Sequence, residues 1–465
     1  MDKACKLLEA LGGLPDPQVA LRLLRHCGGF CKMVFSARVA PFSYHKEALS
    51  SFDAAVRSCF EQFSCLLPDD DQWAQATLNT ESAGGLRSLA KHGCAAFIAS
   101  RTSCAGLCRQ LDAHHTFLSP GNEACPEREA IGDFNANVNE DSRLPPSPTG
   151  PLVQRELSVA LDKRTFMQLT CPNQVTMSRR AHLNLASASG AGQWLHAPPS
   201  KACGLHVEPA VYVTMLERWL RIPPCEADAW CPLCDGIHAL TCCGGGDRTR
   251  RHNLIRNEAY YSAAAAGLQP ELERPGLLPP RPLNGSQFED GTRPTEAHEQ
   301  PDARRPADVY VPRWRAGPAA AWDFAVTSGL QDNILVHSVS DKDAALDRYE
   351  DFKNSFKSTS NLCQQAGFSF IPMILEATGG GWGKQARAVW SELAKKHALA
   401  TGELTSDKDS AFGLLQRLSL ILHRENARAI MRRRGACPVM GDSGHASSLA
   451  ATLAEEAASR EPGTA

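Results

Sequence analysis

The sequence predicts an α+β multidomain protein with a helical N-terminal half, a small zinc-knuckle-like Cys/His knot and a C-terminal α/β domain. Three observations carry that expectation. Apolar residues recur at three- and four-residue spacing through most of residues 1–118 and 151–224. The stretch "CPLCDGIHALTCCGGGDRTRRHN", residues 231–253, concentrates cysteine and histidine before a basic run. After residue 306 the period changes to short apolar runs separated by amphipathic stretches. A chain of 465 residues is long enough for two or three domains, each with its own core.

Composition narrows the class. With 43% hydrophobic and 22% charged residues the chain is ordinary for a globular protein, and a formal net charge of −2 means that any nucleic-acid surface must be local. No apolar run approaches the roughly 18 residues that span a bilayer. The start, "MDKACKLLEALGGLPDP", is charged too early for a secretory signal. The expected location is therefore intracellular, cytoplasmic or nuclear, without secretion or membrane insertion. In a reducing compartment the 18 cysteines are not a disulfide framework. Most, including Cys27, Cys94 and Cys363, are expected to be small buried hydrophobes.

Along the chain, "ALRLLRHCGGFCKMVFSARV" and "AGGLRSLAKHGCAAFIAS" make residues 1–118 helical. Residues 119–150 are polar and rich in Pro and Asn, and read as a linker. Residues 151–224 return to helical patterning as a connector, and 225–250 hold the Cys/His knot. The domain from 251 to 434 contains a Pro-, Arg- and Glu-rich segment at 279–306 that reads as a mobile loop. "ADVYVPRW" (307–314), "AAAWDFAVTS" (319–328) and "FSFIPMILEA" (368–377) read as strands. "DKDAALDRYEDFKNSFKSTSNLCQQAG" reads as one amphipathic helix between the last two, with further helices at about 383–398 and 409–434. The Ala-, Ser- and Glu-rich tail, 435–465, reads as disordered.

In the knot, Cys231, Cys234, His238 and Cys242 form a C-x-x-C-x-x-x-H-x-x-x-C arrangement. Two thiolates from one turn, with an imidazole and a third thiolate from the next, suit a closed tetrahedral structural zinc. Cys225 and Cys243 are spare ligands. The competing reading is a reduced thiol cluster without metal.

Asp308 and Asp323 each lie in an apolar strand-like run, with fourteen residues between them. A buried carboxylate needs a partner or a cation, and two on adjacent strands make a hard oxygen site suited to Mg²⁺. The plainer alternative is that one caps a strand while the other pairs with Arg304 or Arg305. Lys353, on the following helix, is either a solvated residue or an ammonium that faces the two carboxylates and offsets charge on a phosphate. Glu273, Glu271 and Glu376 are weaker candidates for a third carboxylate. Over residues 411–434, Leu414, Leu415, Leu418, Ile421 and Leu422 form an apolar stripe, and Arg417, Arg424 and Arg428 line another side. That pattern is either a docking helix or a phosphate-tracking surface. "GDSGH" (441–445) and "TGGGWGKQ" match hydrolase and phosphate-loop motifs too incompletely to carry an activity.

In this order the motifs resemble the C-terminal portion of a non-LTR retrotransposon reverse transcriptase polyprotein, with its post-palm region, CCHC-type knuckle and restriction-like endonuclease. The resemblance covers most of residues 15–434. The knuckle is followed by an (R/K)-H-(D/N) motif, Arg251-His252-Asn253, then by Pro306, Asp308 and Asp323 in the place of the P-D…D motif. It implies a PD-(D/E)xK-like fold with Asp308, Asp323 and Lys353 as catalytic residues, to which Glu273 is the added third-carboxylate candidate, with Mg²⁺ at the two aspartates and a structural Zn²⁺ in the knuckle. It also implies that Arg248, Arg250, Arg251 and His252 meet DNA and that residues 1–118 are thumb-like; on the phosphate-tracking reading of 411–434, Arg424 and Arg428 join them. Several departures stand out. Ala307 interrupts the P-D pair, the Cys-to-His gap is short, Ala325 stands where an in-strand lysine is expected, and no Y/F-x-D-D polymerase motif is present. The expected activity is Mg²⁺-dependent nicking of target DNA, without reverse transcription by this chain. DNA, element RNA and a polymerase supplied in trans are the expected partners, and the gene is expected to be a truncated copy or partial product. The alternative is a catalytically decayed, zinc-dependent nucleic-acid-binding remnant.

Overall fold

The computed structural model describes residues 2–78, 84–115, 117, 125–222, 246–278, 306–315, 317–402 and 407–433. The zinc-ligand candidates Cys231, Cys234, His238 and Cys242 lie outside the described residues, as do Cys225, Cys243, Arg304, Arg305, nearly all of the 279–306 segment and the 435–465 tail. The chain divides into two units, Met1–Ser187 with His206–Gly236, and Ala188–Leu205 with Ile237–Ala465. The class is α+β, with helices throughout and one small sheet in the second unit. No helix among the described residues is long and apolar enough to cross a membrane.

The first unit is helical: α1 (Asp2–Gly12), α2 (Pro17–Leu23), α3 (Phe30–Val39), α4 (Phe42–Ser64), α5 (Asp70–Thr77), α6 (Leu89–Leu111), α7 (Pro126–Ala136), α8 (Gln154–Leu169), α9 (Met177–Ala186) and α10 (Pro209–Leu220). Its helix starts are written locally. Asp16 caps α2 by accepting from Gln18 N (2.9 Å) and Val19 N (3.1 Å), with Pro17 in the first turn. Asp69 and Gln72 form a reciprocal capping box on α5. The start of α6 is finished by a distant residue, because Asp53 of α4 accepts from Leu89 N (2.8 Å) and Ala90 N (2.9 Å). Phe52, Phe60, Leu89 and Ile98 are buried where these helices meet.

Two readings are corrected here. The 119–150 segment contains α7, which buries Ala130, Ile131 and Phe134 and so is part of the core rather than only a linker. Its Pro- and Asn-rich flanks masked an ordinary helical spacing. Among the twelve described cysteines only Cys59, Cys94, Cys125 and Cys363 are buried, and Cys27 is exposed. Burial pushes the Cys94 thiol up to about 12, which makes it inert.

In the second unit, α11 (Asp247–Ala265) precedes β1 (Glu271–Leu272), β2 (Val309–Val311) and β3 (Ala319–Thr327). Then come α12 (Asp332–Ser340), α13 (Ala344–Ser355), α14 (Thr359–Gln365), β4 (Phe368–Glu376), α15 (Lys384–Thr401) and α16 (Asp407–Arg433). The sheet order is β1-β2-β3-β4; the first three strands are antiparallel, and β4 joins β3 in parallel after the helical crossover. Trp322 and Phe324 of β3 point to the face covered by α11, α15 and α16, whereas Ala321 packs with Cys363 and Phe368 on the other. Pro372 is tolerated because β4 is the last strand of the described sheet. The long helix read at 341–367 is two helices, α13 and α14. Lys357 (φ 48°) and Ser358 (φ 53°) are both left-handed, and they break α13 from α14.

Candidate active site around two strand aspartates

Asp308 sits just before β2. Its N–H donates to Trp322 O at 2.9 Å, although Val309 is the register partner of Trp322. Two residues of one strand thus answer one of the other, as in a β-bulge, which re-aims a side chain. The re-aimed carboxylate accepts the backbone N–H of Phe324 through Oδ2 at 2.6 Å. That bond brings it beside Asp323, the residue preceding Phe324, whose pKa is raised first by burial and then by the Asp308 charge. Antiparallel pairing with a local irregularity therefore converts sequence-distant aspartates into neighbours.

Each carboxylate has its own partner. His252 Nε2, from α11, lies 3.1 Å from Asp308 Oδ2, and Lys353 Nζ, from α13, lies 2.6 Å from Asp323 Oδ2. Burial pushes the Asp323 carboxyl above its ordinary range, and Lys353 pulls against that shift. Folding therefore favours the protonated form, so this contribution to stability is present at low pH and lost as pH rises through the folded value. His252 is also raised, first by its hydrogen bond to Asp308 and against burial. The His252–Asp308 pair stabilises fully below the unfolded imidazole value near 6.5 and is lost as pH rises through the folded one. Urea midpoints of wild type and His252→Gln should accordingly differ in mildly acidic buffer and converge once pH passes the folded value; a pH-independent gap would refute the pairing.

The other candidates are placed differently. Glu273 donates its N–H to Asp308 O at 3.0 Å, but its carboxylate pairs with Arg256. Glu271 pairs with Arg274 at 2.9 Å. Glu376 is buried at the end of β4, four register positions from the β4 partner of Asp323. It accepts backbone N–H groups from Gly329 (3.1 Å), Thr378 (2.8 Å) and Gly379 (2.6 Å). The glycine-rich "TGGGWGKQ" turn thus forms an anion nest, and the anion it holds is this chain's own carboxylate.

The basic residues also separate. Arg248 is exposed, and Arg250 lies 3.1 Å from Glu425 Oε2. Arg251 is buried, bonds Asn426 Oδ1 at 2.6 Å, and is pulled down to about 10 by burial and the Arg248 charge. His252 faces Asp308 rather than forming a free basic surface. Arg424 and Arg428 are buried against Glu425, at 3.5 and 2.8 Å, and every residue from Leu422 to Met431 is buried. This corrects the phosphate-tracking stripe: α16 is a docking helix whose Leu414, Leu418 and Leu422 enter the core. Arg417 reaches Glu258 at 2.6 Å. The pairing of His252 with Asp308 was missed in sequence, and its only signal was the position of the histidine in the R-H-N run.

Among the described residues, no three His, Cys, Asp or Glu side chains are gathered to hold a metal by themselves. Two neighbouring hard carboxylates nevertheless fit Mg²⁺, which commonly takes one or two carboxylates and completes its shell with water and substrate phosphate. No protein-family model matches the chain, and no curated protein matches it.

Proposed function

We propose that the second unit is a Mg²⁺-dependent DNA endonuclease module of the kind carried by non-LTR retrotransposon polyproteins. The convergence of Asp308, Asp323, Lys353 and His252 from two strands and two helices carries the reading. Asp308 and Asp323 would hold the cation, which when bound stabilises charge developing on a phosphoryl group. The Lys353 ammonium stands beside Asp323, where it can balance charge on the scissile phosphate. His252 holds Asp308 in place through Nε2, while the Phe324 N–H fixes the same oxygen. Exposed Arg248 and the partly exposed Arg250 supply backbone contacts to DNA. Element RNA and a polymerase in trans complete the proposed partners.

Conversion of supercoiled plasmid to open circles by the purified chain, dependent on Mg²⁺ and stopped by chelation, tests the reading. Absence of nicking with intact DNA binding would replace it by the decayed binding remnant. One observation favours that second reading: each aspartate already has a protein partner at hydrogen-bond distance, the His252 ring or the Lys353 ammonium. Absence of both activities would overturn both.

The knuckle enters as a proposal from its spacing, with Cys231, Cys234, His238 and Cys242 holding one structural Zn²⁺. Elemental analysis is expected to give about one zinc per chain. A Cys234→Ser protein with unchanged zinc content would rule out this ligand set.

A further inference from the structure

Next to Lys353, α13 carries a row of aromatic rings that the proposed chemistry does not use. Tyr349 and Phe352 stand at i, i+3 on α13, and Phe356, the residue that ends the helix with ψ 114°, completes the row. Their ring centroids are 5.6 Å apart for the first pair and 5.2 Å for the second, with interplanar angles of 57° and 43°. Phe352 is 48% exposed and Phe356 44%, so both rings present surface to water. Lys357 Nζ stands 5.3 Å from the Phe356 ring centroid. It is held there by the left-handed backbone at Lys357 and Ser358, a conformation that costs free energy in non-glycine residues.

We propose that this row is a stacking platform for unpaired bases of a nucleic-acid strand. Aromatic faces interleaved with lysine bind single strands with little sequence preference, because every base offers a π-face and every nucleotide a phosphate. A stacked nucleotide brings its phosphate to the Lys357 ammonium. Phe352 directly precedes Lys353, whose ammonium lies on Asp323, so the platform and the carboxylate pair are served by the same helix. The inference deepens the endonuclease reading and rests on it for the placement of the scissile strand. The module would engage DNA in which bases near the cleaved bond are already unpaired.

Binding of a fluorescent oligo(dT), and of a duplex with and without a single-stranded gap, tests the platform in chelator, where no cleavage contributes. Wild type is expected to prefer the gapped duplex over the intact one. Phe352→Ala/Phe356→Ala should weaken oligo(dT) and gapped-duplex binding about five- to hundredfold, with intact-duplex affinity unchanged. Phe356→Trp should retain affinity, and Lys357→Glu should lower it and flatten its salt dependence. Equal single-strand affinity for wild type and the double variant overturns the platform, as does an equal loss on intact duplex. Self-association that ring removal abolishes, with no single-strand binding, would instead make the row a contact between copies. The two readings fail separately: ring-dependent single-strand binding without nicking defeats the endonuclease, and Mg²⁺-dependent nicking with ring-independent binding defeats the platform.

Discussion

Asp308→Ala is expected to lower Mg²⁺-dependent nicking about a thousandfold while DNA affinity stays within about twofold. The asymmetry follows from placement. Asp308 sits at the bulge between β2 and β3, where its carboxylate serves His252, the Phe324 N–H and the electrostatics of Asp323. It carries negative charge, which favours cation binding and opposes phosphate binding, so its loss does not remove an attraction to DNA. Alanine also leaves the Phe324 N–H without its acceptor, at about 1 kcal/mol or more. Asp308→Asn therefore serves as the control, because its amide oxygen still accepts that N–H while the charge is gone. Asn should be nearly as inactive as Ala and more stable. Quantified plasmid conversion beside urea unfolding checks both, and wild-type nicking by the Asn protein would sink the metal-ligand role.

The second large effect is on stability. Glu376→Ala is expected to cost about 4 kcal/mol, because three buried N–H groups, one after β3 and two in the turn after β4, lose their acceptor together. For a unit of this size that corresponds to roughly 10 °C in the unfolding midpoint. Glu376→Gln should recover little. Gly329 bonds one carboxylate oxygen while Thr378 and Gly379 bond the other, so an amide NH₂ must oppose one set of donors. The Arg251 guanidinium, which feels the charges of both Glu376 and Glu425, loses part of its balance as well. Differential scanning calorimetry of the two variants decides this; a midpoint within about 2 °C of wild type would show that Glu376 is dispensable.

The two predictions separate acids that looked alike in the sequence. Asp308, Asp323 and Glu376 all stand in or beside apolar strand-like runs, and burial alone demands a partner for each. The nature of the partner distinguishes them. Glu376 is satisfied by backbone N–H groups and held as structure, whereas Asp308 and Asp323 adjoin each other and two titratable cations.

Local pattern determined the elements. Period-two and continuous apolar runs placed β2, β3 and β4 within a few residues of their observed bounds, and the leucine stripe placed α16. Side-chain periodicity is a property of neighbouring residues, so it is visible without a fold. The α7 helix and the break at Lys357–Ser358 were hidden, the first by its flanks and the second because a left-handed turn of non-glycine residues leaves no compositional mark. Which charges face one another was decided only by tertiary structure. Arg424 and Arg428 read as an exposed stripe by helical period, yet packing buried that side of the helix, and their contacts with Glu425 are local to it. His252 read as part of a basic run, yet the sheet brought Asp308 to it across 56 residues. A helical wheel gives the angle at which a side chain leaves its axis. What waits at the end of that side chain depends on long-range pairing, here on the extra residue between β2 and β3 that turned Asp308 toward its neighbours.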